Sequence, residues 1–306
     1  MLKFAILAVT TVLVSAHAVA FPLTSKNWGQ EPVQDSSQHW MMKKTNQPTK
    51  VSPTYSEGFA FEGIIALSNC SGSLVKFRNT KDDARALMLT NGHCVSKGIF
   101  GGMMQPGEVI VNEKASMRVS LLDKAGKGIM PLTTTRILYA TMTTTDVALY
   151  ELSSTYADIT KQTGVKALVI ADTAPAMAQE IQIPSGYWRR TYTCNSDIVI
   201  PELREGGYVF KKSIRYSEPG CETIGGTSGS PIVSSSTGEV VGINNTGNED
   251  GEKCTMNNPC EVDDNGQIAV RKGRSYGQQT YWFYGCLSAD QHQIDLTLPT
   301  CELAKP

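Results

Sequence analysis

Beyond its first twenty residues the chain has no apolar run approaching the ~20 residues that a spanning helix needs, which excludes a helical membrane span downstream. Histidine is scarce, with four in 306 residues (His17, His39, His93 and His292), and no CxxC pair occurs. A structural zinc site would lack ligands, and no metal or other cofactor is expected. An excess of charge is missing too: 28 Lys and Arg against 29 Asp and Glu leave a formal −1. That balance offers no electrostatic handle for nucleic acid or an anionic membrane surface. Long amphipathic helical stretches, internal repeats and low-complexity linkers are absent as well, which turns attention to strands.

What is present begins with an export signal over residues 1–20. Lys3 supplies the positive start, Phe4 to Val14 the apolar run, and Ala16-His17-Ala18-Val19-Ala20 the small residues at a cleavage site. A membrane anchor is the competing reading, and the run is short for one. Export agrees with eight cysteines, an even number: Cys70, Cys94, Cys194, Cys221, Cys254, Cys260, Cys286 and Cys301. In a secreted or periplasmic location these are expected as disulfides, with connectivity left open. Residues 21–57 are polar, with Pro32, Pro48 and Pro53 and neither strand nor helix periodicity, and read as a propeptide or flexible extension.

From residue 58 to 285 short apolar runs alternate with turn residues, among them Ser73–Phe77, Ala86–Leu89, Val147–Leu152, Ile181–Ile183, Ile198–Ile200, Tyr208–Arg215 and Pro231–Ser234. The pattern predicts an all-β barrel or sandwich architecture. The Ser234–Gly238 cluster predicts a hairpin. An acid-rich loop with Glu249, Asp250, Glu252, Asp263 and Asp264 lacks EF-hand spacing, so a solvated loop stapled by Cys254 and Cys260 is preferred to a calcium site. Residues 286–306 read as a polar tail pinned by Cys286 and Cys301.

Three blocks carry chemistry. In Gly225-Gly226-Thr227-Ser228-Gly229-Ser230-Pro231 a serine sits among glycines ahead of a strand. Such a turn exposes a hydroxyl and aims backbone N–H groups at one point, although alone it is commonly only a turn. Thr90-Asn91-Gly92-His93-Cys94 delivers a histidine at a strand end, beside a glycine and a cysteine that limit its freedom. Thr145-Asp146-Val147-Ala148-Leu149 places a carboxylate where a polar run enters a buried strand. There it needs hydrogen bonds, from an imidazole or from local N–H groups.

Together these blocks resemble the catalytic segments of trypsin/chymotrypsin-like serine peptidases, in that family's order of His, Asp, Ser. The G-x-S-x-G elbow of α/β-hydrolases is absent, because Ser230 stands where its second glycine would fall. The resemblance implies two six-stranded antiparallel β-barrels, divided near residues 155–165, with the active site in the cleft between them. It implies Ser228 as nucleophile, His93 as general base, Asp146 as its orienting acid, and the N–H groups of Gly226 and Ser228 as oxyanion hole. It also implies a Cys70–Cys94 disulfide and, near the specificity pocket, a Cys194–Cys221 one. Protein or peptide substrates, a monomer, and no membrane association after signal removal follow from the same reading.

Two departures matter. In trypsin-like animal enzymes an aspartate precedes the nucleophile and pairs with a freed amino terminus; here that residue is Thr227. The block is closer to the G-N-S-G-S-P of bacterial glutamyl endopeptidases, whose pocket histidine has Asn244 as its counterpart here, so glutamate specificity is not supported. In the family the residue six positions before the nucleophile lies at the base of the pocket. Here it is Glu222, which predicts cleavage after Lys or Arg. The alternative is a Glu222 turned to solvent and a small polar pocket lined by Thr223 and Asn244. The alternative to an enzyme is a catalytically inert homologue kept as a secreted binding module, although all three triad positions are filled.

Overall fold

In the computed structural model the described residues are 61–95, 102–289 and 293–306. The export signal and the polar extension expected over 1–57 lie outside them, as do His17, His39 and His292.

The short apolar runs become strands. The first half of the chain forms β1 (Ile64–Ala66), β2 (Ser71–Lys76), β3 (Arg85–Thr90), β4 (Val109–Lys114), β5 (Arg118–Leu122), β6 (Gly128–Thr141), β7 (Val147–Thr155) and β8 (Leu168–Val169). Six of them close a ring by antiparallel pairing, in the order β1, β5, β6, β7, β3, β2 and back to β1. Closure leaves no open edge within the ring, which is how a β architecture avoids pairing with other chains. In β6 the burial pattern records two environments. Its first half alternates between solvent and core, whereas its last five residues are all buried, where β4 pairs on one side and β7 on the other.

A short helix, α1 (Tyr156–Thr163), follows β7 directly. It starts on a reciprocal capping box, with Thr155 Oγ1 accepting from Asp158 N at 3.0 Å, which supplies a partner to an otherwise orphan N–H. The second half forms β9 (Glu180–Ser185), β10 (Arg190–Glu205), β11 (Tyr208–Tyr216), β12 (Pro231–Ser234), β13 (Val240–Gly247), β14 (Cys260–Val262), β15 (Ile268–Val270) and β16 (Ser275–Gln279). A second antiparallel ring of six runs β9, β10, β11, β16, β13, β12 and back to β9. The fold is thus all-β with two six-stranded barrels. The hairpin over Ser234–Gly238 joins β12 to β13 as the turn residues predict.

Each barrel has its own apolar filling, Ile65, Leu74, Leu87, Leu121 and Leu149 in the first and Ile181, Ile183, Tyr192, Ile214 and Ile232 in the second. The first cluster also continues into Ile200, Leu203, Val240 and Ile243, so apolar packing bridges the two rings. Four disulfides are present: Cys70–Cys94, Cys194–Cys221, Cys254–Cys260 and Cys286–Cys301. After a 3₁₀ turn at Tyr281–Cys286 the chain returns to the first barrel. Phe283 packs edge-on to Phe77 and Tyr139, and Tyr139 Oη donates to the Ala304 carbonyl at 3.0 Å. Aromatic pairs of this kind add about 0.5–1.5 kcal/mol beyond the area they bury, and here they hold the tail down. No helix of the described residues is long and apolar enough to cross a membrane.

Candidate active site

Strand β3 ends at Thr90, and a single 3₁₀ turn, Gly92–Cys94, carries His93 out of it. The Cys70–Cys94 bond ties that turn to β2. Gly92 is required by proximity: a Cβ there would lie 2.2 Å from the Thr141 carbonyl oxygen and 3.0 Å from Asp146 Oδ1. Asp146 stands at the entry to β7, its carbonyl accepting from Asn91 Nδ2 at 2.7 Å. Its carboxylate takes two hydrogen bonds from one residue, from His93 N to Oδ1 at 3.0 Å and from His93 Nδ1 to Oδ2 at 2.6 Å. The two side chains are only 6% and 1% exposed, so little water competes for the pair. Because a carboxylate can only accept, the proton resides on Nδ1, and Nε2 is the basic nitrogen. Burial pushes the imidazole toward its neutral form. The charge and hydrogen bond of Asp146, helped by the charge of Glu205, outweigh it, and the pKa of His93 is raised above 6.5.

Ser228 lies at the centre of the turn before β12 and is 3% exposed. Its Oγ donates to the Asn245 carbonyl at 3.4 Å, a long and weak bond. The barrels meet beside it, where Ser71 N donates to the Ser228 carbonyl at 2.8 Å; within the first barrel Thr90 Oγ1 donates to the Ser71 carbonyl at 2.8 Å. Around the turn the N–H groups of Thr227, Gly229 and Ser230 bond to the carbonyls of Ile224, Asn244 and Thr227. Among the described residues no such backbone bond engages the N–H of Gly226 or of Ser228. The hydroxyl and these two N–H groups thus belong to one turn. Thr227 is buried, its Oγ1 reaching Tyr192 Oη at 3.5 Å.

One narrow cavity opens beside the turn and a second beside His93, and both are lined by Asn245 and Thr246. One is bounded by Ser228, Thr223, Gly225, Asn244 and Gly247, the other by His93, Asp146, Glu205, Tyr208 and Met256. Thr223 N donates to Ser275 Oγ at 3.1 Å, and buried Asn244 accepts through Oδ1 from Tyr216 Oη at 3.1 Å. Glu222 is not part of either lining. Its side chain is exposed and both carboxylate oxygens accept from Gly220 N at 3.1 Å. Solvent and one N–H satisfy the charge more cheaply than a cavity with no cation would. Glu222 thus stands outside both linings, whereas Thr223 and Asn244 line the cavity beside Ser228.

Sequence reasoning passed over Glu205, a carboxylate buried at the end of β10. Its Oε1 accepts from Thr246 Oγ1 at 2.9 Å and from Asn257 N at 2.8 Å. Burial pushes its pKa up to about 7 against those hydrogen bonds and the nearby His93 charge. Nothing local marked it, and the structure places it beside Gly206-Gly207 where β10 turns into β11. The titratable neighbours facing it are His93, Asp146 and Tyr208. A general base must be neutral, so the acidic limb of a pH–rate profile is expected above 6.5. Glu205→Gln keeps an acceptor for Thr246 and Asn257 but removes one charge that favours imidazolium, so the limb should move to lower pH. A limb at the same pH in both proteins would show that Glu205 does not act on His93 electrostatically.

Among the described residues, Cys70, His93 and Cys94 are the one His, Cys and acid group compact enough to surround an ion, and the two sulfurs are bonded to each other. The chain matches the family described as a trypsin-like peptidase domain over residues 70–243, more than half its length. No curated protein matches it. Similar solved structures include the MamO protease domain from Magnetospirillum magneticum, with TM-score 0.45 and 13% identity, covering 76% of this chain and 100% of that one. The protease Anisep from Arthrobacter nicotinovorans gives TM-score 0.40 and 17% identity over 73% of this chain and 92% of that one. Nocardiopsis protease gives 0.39 and 13% over 71% and 90%.

Proposed function

Because this chain belongs to the trypsin-like peptidase domain family, a family of serine proteases, we propose that it is an exported serine endopeptidase working through Ser228, His93 and Asp146. The observation that carries the reading is the doubly bonded, water-shielded Asp146–His93 pair, which leaves Nε2 as a base of fixed orientation. In the proposed cycle Ser228 Oγ attacks the scissile carbonyl while His93 Nε2 takes its proton. The N–H groups of Gly226 and Ser228 receive the oxyanion, and Asp146 stabilises the imidazolium. His93 returns the proton to the leaving amine, and the Ser228 acyl ester is then hydrolysed by a water that His93 activates in turn. Four disulfides suit an oxidising compartment, and a propeptide over 21–57 fits export before activity. Thr227 carries no charge, so activation does not depend on a new amino terminus pairing with an acid beside Ser228.

A fluorophosphonate probe should label Ser228 in the mature wild-type protein, and labelling should be lost in His93→Ala. An inert binding homologue would leave Ser228 unlabelled. For specificity, the cavity beside Ser228, with Thr223, Asn244 and Gly247, favours a small polar side chain at the residue before the scissile bond. Peptide-library cleavage should therefore place Ser, Thr or Asn ahead of Lys, Arg and Phe. Glu222→Gln should leave the ratios among them unchanged; a selective loss on Lys and Arg substrates would return that carboxylate to the pocket.

A further inference from the structure

An oxyanion hole works only if its N–H groups point at the reacting carbonyl, and here one of them belongs to a Gly-Gly peptide. Glycine at 225 and 226 leaves that peptide plane free to rotate. Gly226 itself sits at φ +89°, a conformation that side chains resist. Trypsin-like animal enzymes have a charge next door to brace this loop, and Thr227 offers none. Something uncharged has to hold the plane.

The bracing comes from the turn between β9 and β10 and from the start of β2. Trp188 Nε1 donates to the Gly225 carbonyl at 2.7 Å, a short bond for an indole. The next carbonyl, that of Gly226, accepts from Ser71 Oγ at 3.1 Å. Both anchors are themselves anchored. Ser71 Oγ lies 3.1 Å from Ser185 Oγ and accepts from Tyr187 N at 3.1 Å, while Trp188 N donates to Ser185 Oγ at 3.2 Å. The Tyr187 ring meets the Trp188 ring edge-on at 4.9 Å and stands 2.7 Å from where a Gly226 Cβ would be. In a planar trans peptide the C=O and the following N–H point in opposite directions. A bond that holds the Gly225 carbonyl on the indole therefore holds the Gly226 N–H facing away from it. Rotation of the plane would break the indole bond, whose donor is half-buried.

We propose that Trp188 is a positioning residue for the oxyanion hole, its indole N–H locking the Gly225–Gly226 peptide so that the Gly226 N–H faces the reacting carbonyl. Ser71 locks the following peptide in the same way. This rests on the assignment of Ser228 as nucleophile and deepens it: the hole is preformed by neutral hydrogen bonds, one from within the second barrel and one from the first, rather than by a charge released on activation.

Trp188→Phe removes the N–H and keeps an aromatic ring. It should lower kcat roughly 10- to 100-fold, short of the 10²–10³ seen when a donor is deleted outright, with KM within about twofold. Affinity for a peptide boronic acid, which forms a tetrahedral adduct on the serine, should fall in the same proportion as kcat. Affinity for the matching product peptide should not change. A structural role alone would lower the melting temperature and active fraction without separating the two ligands. If the phenylalanine variant does not fold, benzothienylalanine at 188 keeps the bicyclic shape, replaces only the N–H by sulfur, and gives the same readout. A kcat and a boronate affinity within twofold of wild type in a folded variant overturn the role of Trp188 while leaving Ser228 as nucleophile. A wild-type protein that neither hydrolyses peptides nor takes the fluorophosphonate label overturns both.

Discussion

Replacing Ser228 by alanine is expected to lower kcat for peptide hydrolysis by about 10⁶-fold, the scale on which nucleophile deletion acts in triad enzymes. The folded state should survive. Ser228 Oγ contributes one long hydrogen bond, to Asn245, while the backbone bonds that shape the turn do not involve the hydroxyl. His93→Ala should cost nearly as much, and the double variant little more than either, because in the proposed cycle the two groups act in one proton transfer. Active-site titration paired with thermal melts separates loss of chemistry from loss of fold. Losses that multiply in the double variant would mean that the hydroxyl and the imidazole serve different steps.

Asp146→Asn carries the second large effect, a fall in kcat of about 10⁴-fold. The side chain keeps its shape and one acceptor, which can still take the His93 N–H now bonded at 3.0 Å. Its amide would present a donor to Nδ1 where the carboxylate accepts at 2.6 Å, driving the imidazole proton to Nε2. The nitrogen that should receive the Ser228 proton would then already hold one. Loss of the carboxylate also removes a charge that raises the His93 pKa, so what activity remains should extend to lower pH. Activity of the Asp146→Asn variant within tenfold of wild type would remove Asp146 from the mechanism.

The parts of the proposed site that the sequence marked are those with strong local requirements. Gly92 is there because a side chain would strike the Thr141 carbonyl, and the glycines around Ser228 are there because the turn is tight. The cysteine after His93 marks a turn that must be tethered. Short apolar runs between turn residues announced most strands of both rings, several of them buried along most of their length. Strand β16 gave no such signal. Ser275-Tyr276-Gly277-Gln278-Gln279 is polar, yet every residue is buried between β13 and β11. It is satisfied there by partners remote in sequence, such as Ser213 Oγ for Gln278 Nε2 at 3.1 Å and the Lys212 carbonyl for Gln279 Nε2 at 2.7 Å.

Glu222 and Glu205 show the same division from opposite sides. Position relative to the serine suggested a buried Glu222, and it faces water; Glu205 carried no sequence signal at all, and it is buried beside His93. Whether a carboxylate is buried depends on which N–H and O–H donors arrive from other strands, and no local pattern contains that information. The sequence by itself determined the β architecture, the order of the three chemical blocks and the loss of a charge at Thr227, because each follows from backbone freedom or from residue type at one position. The tertiary structure alone decided which peptide planes are braced by Trp188 and Ser71, where the tail docks and which acids face the imidazole. Those depend on donors and acceptors brought together by the closing of two rings.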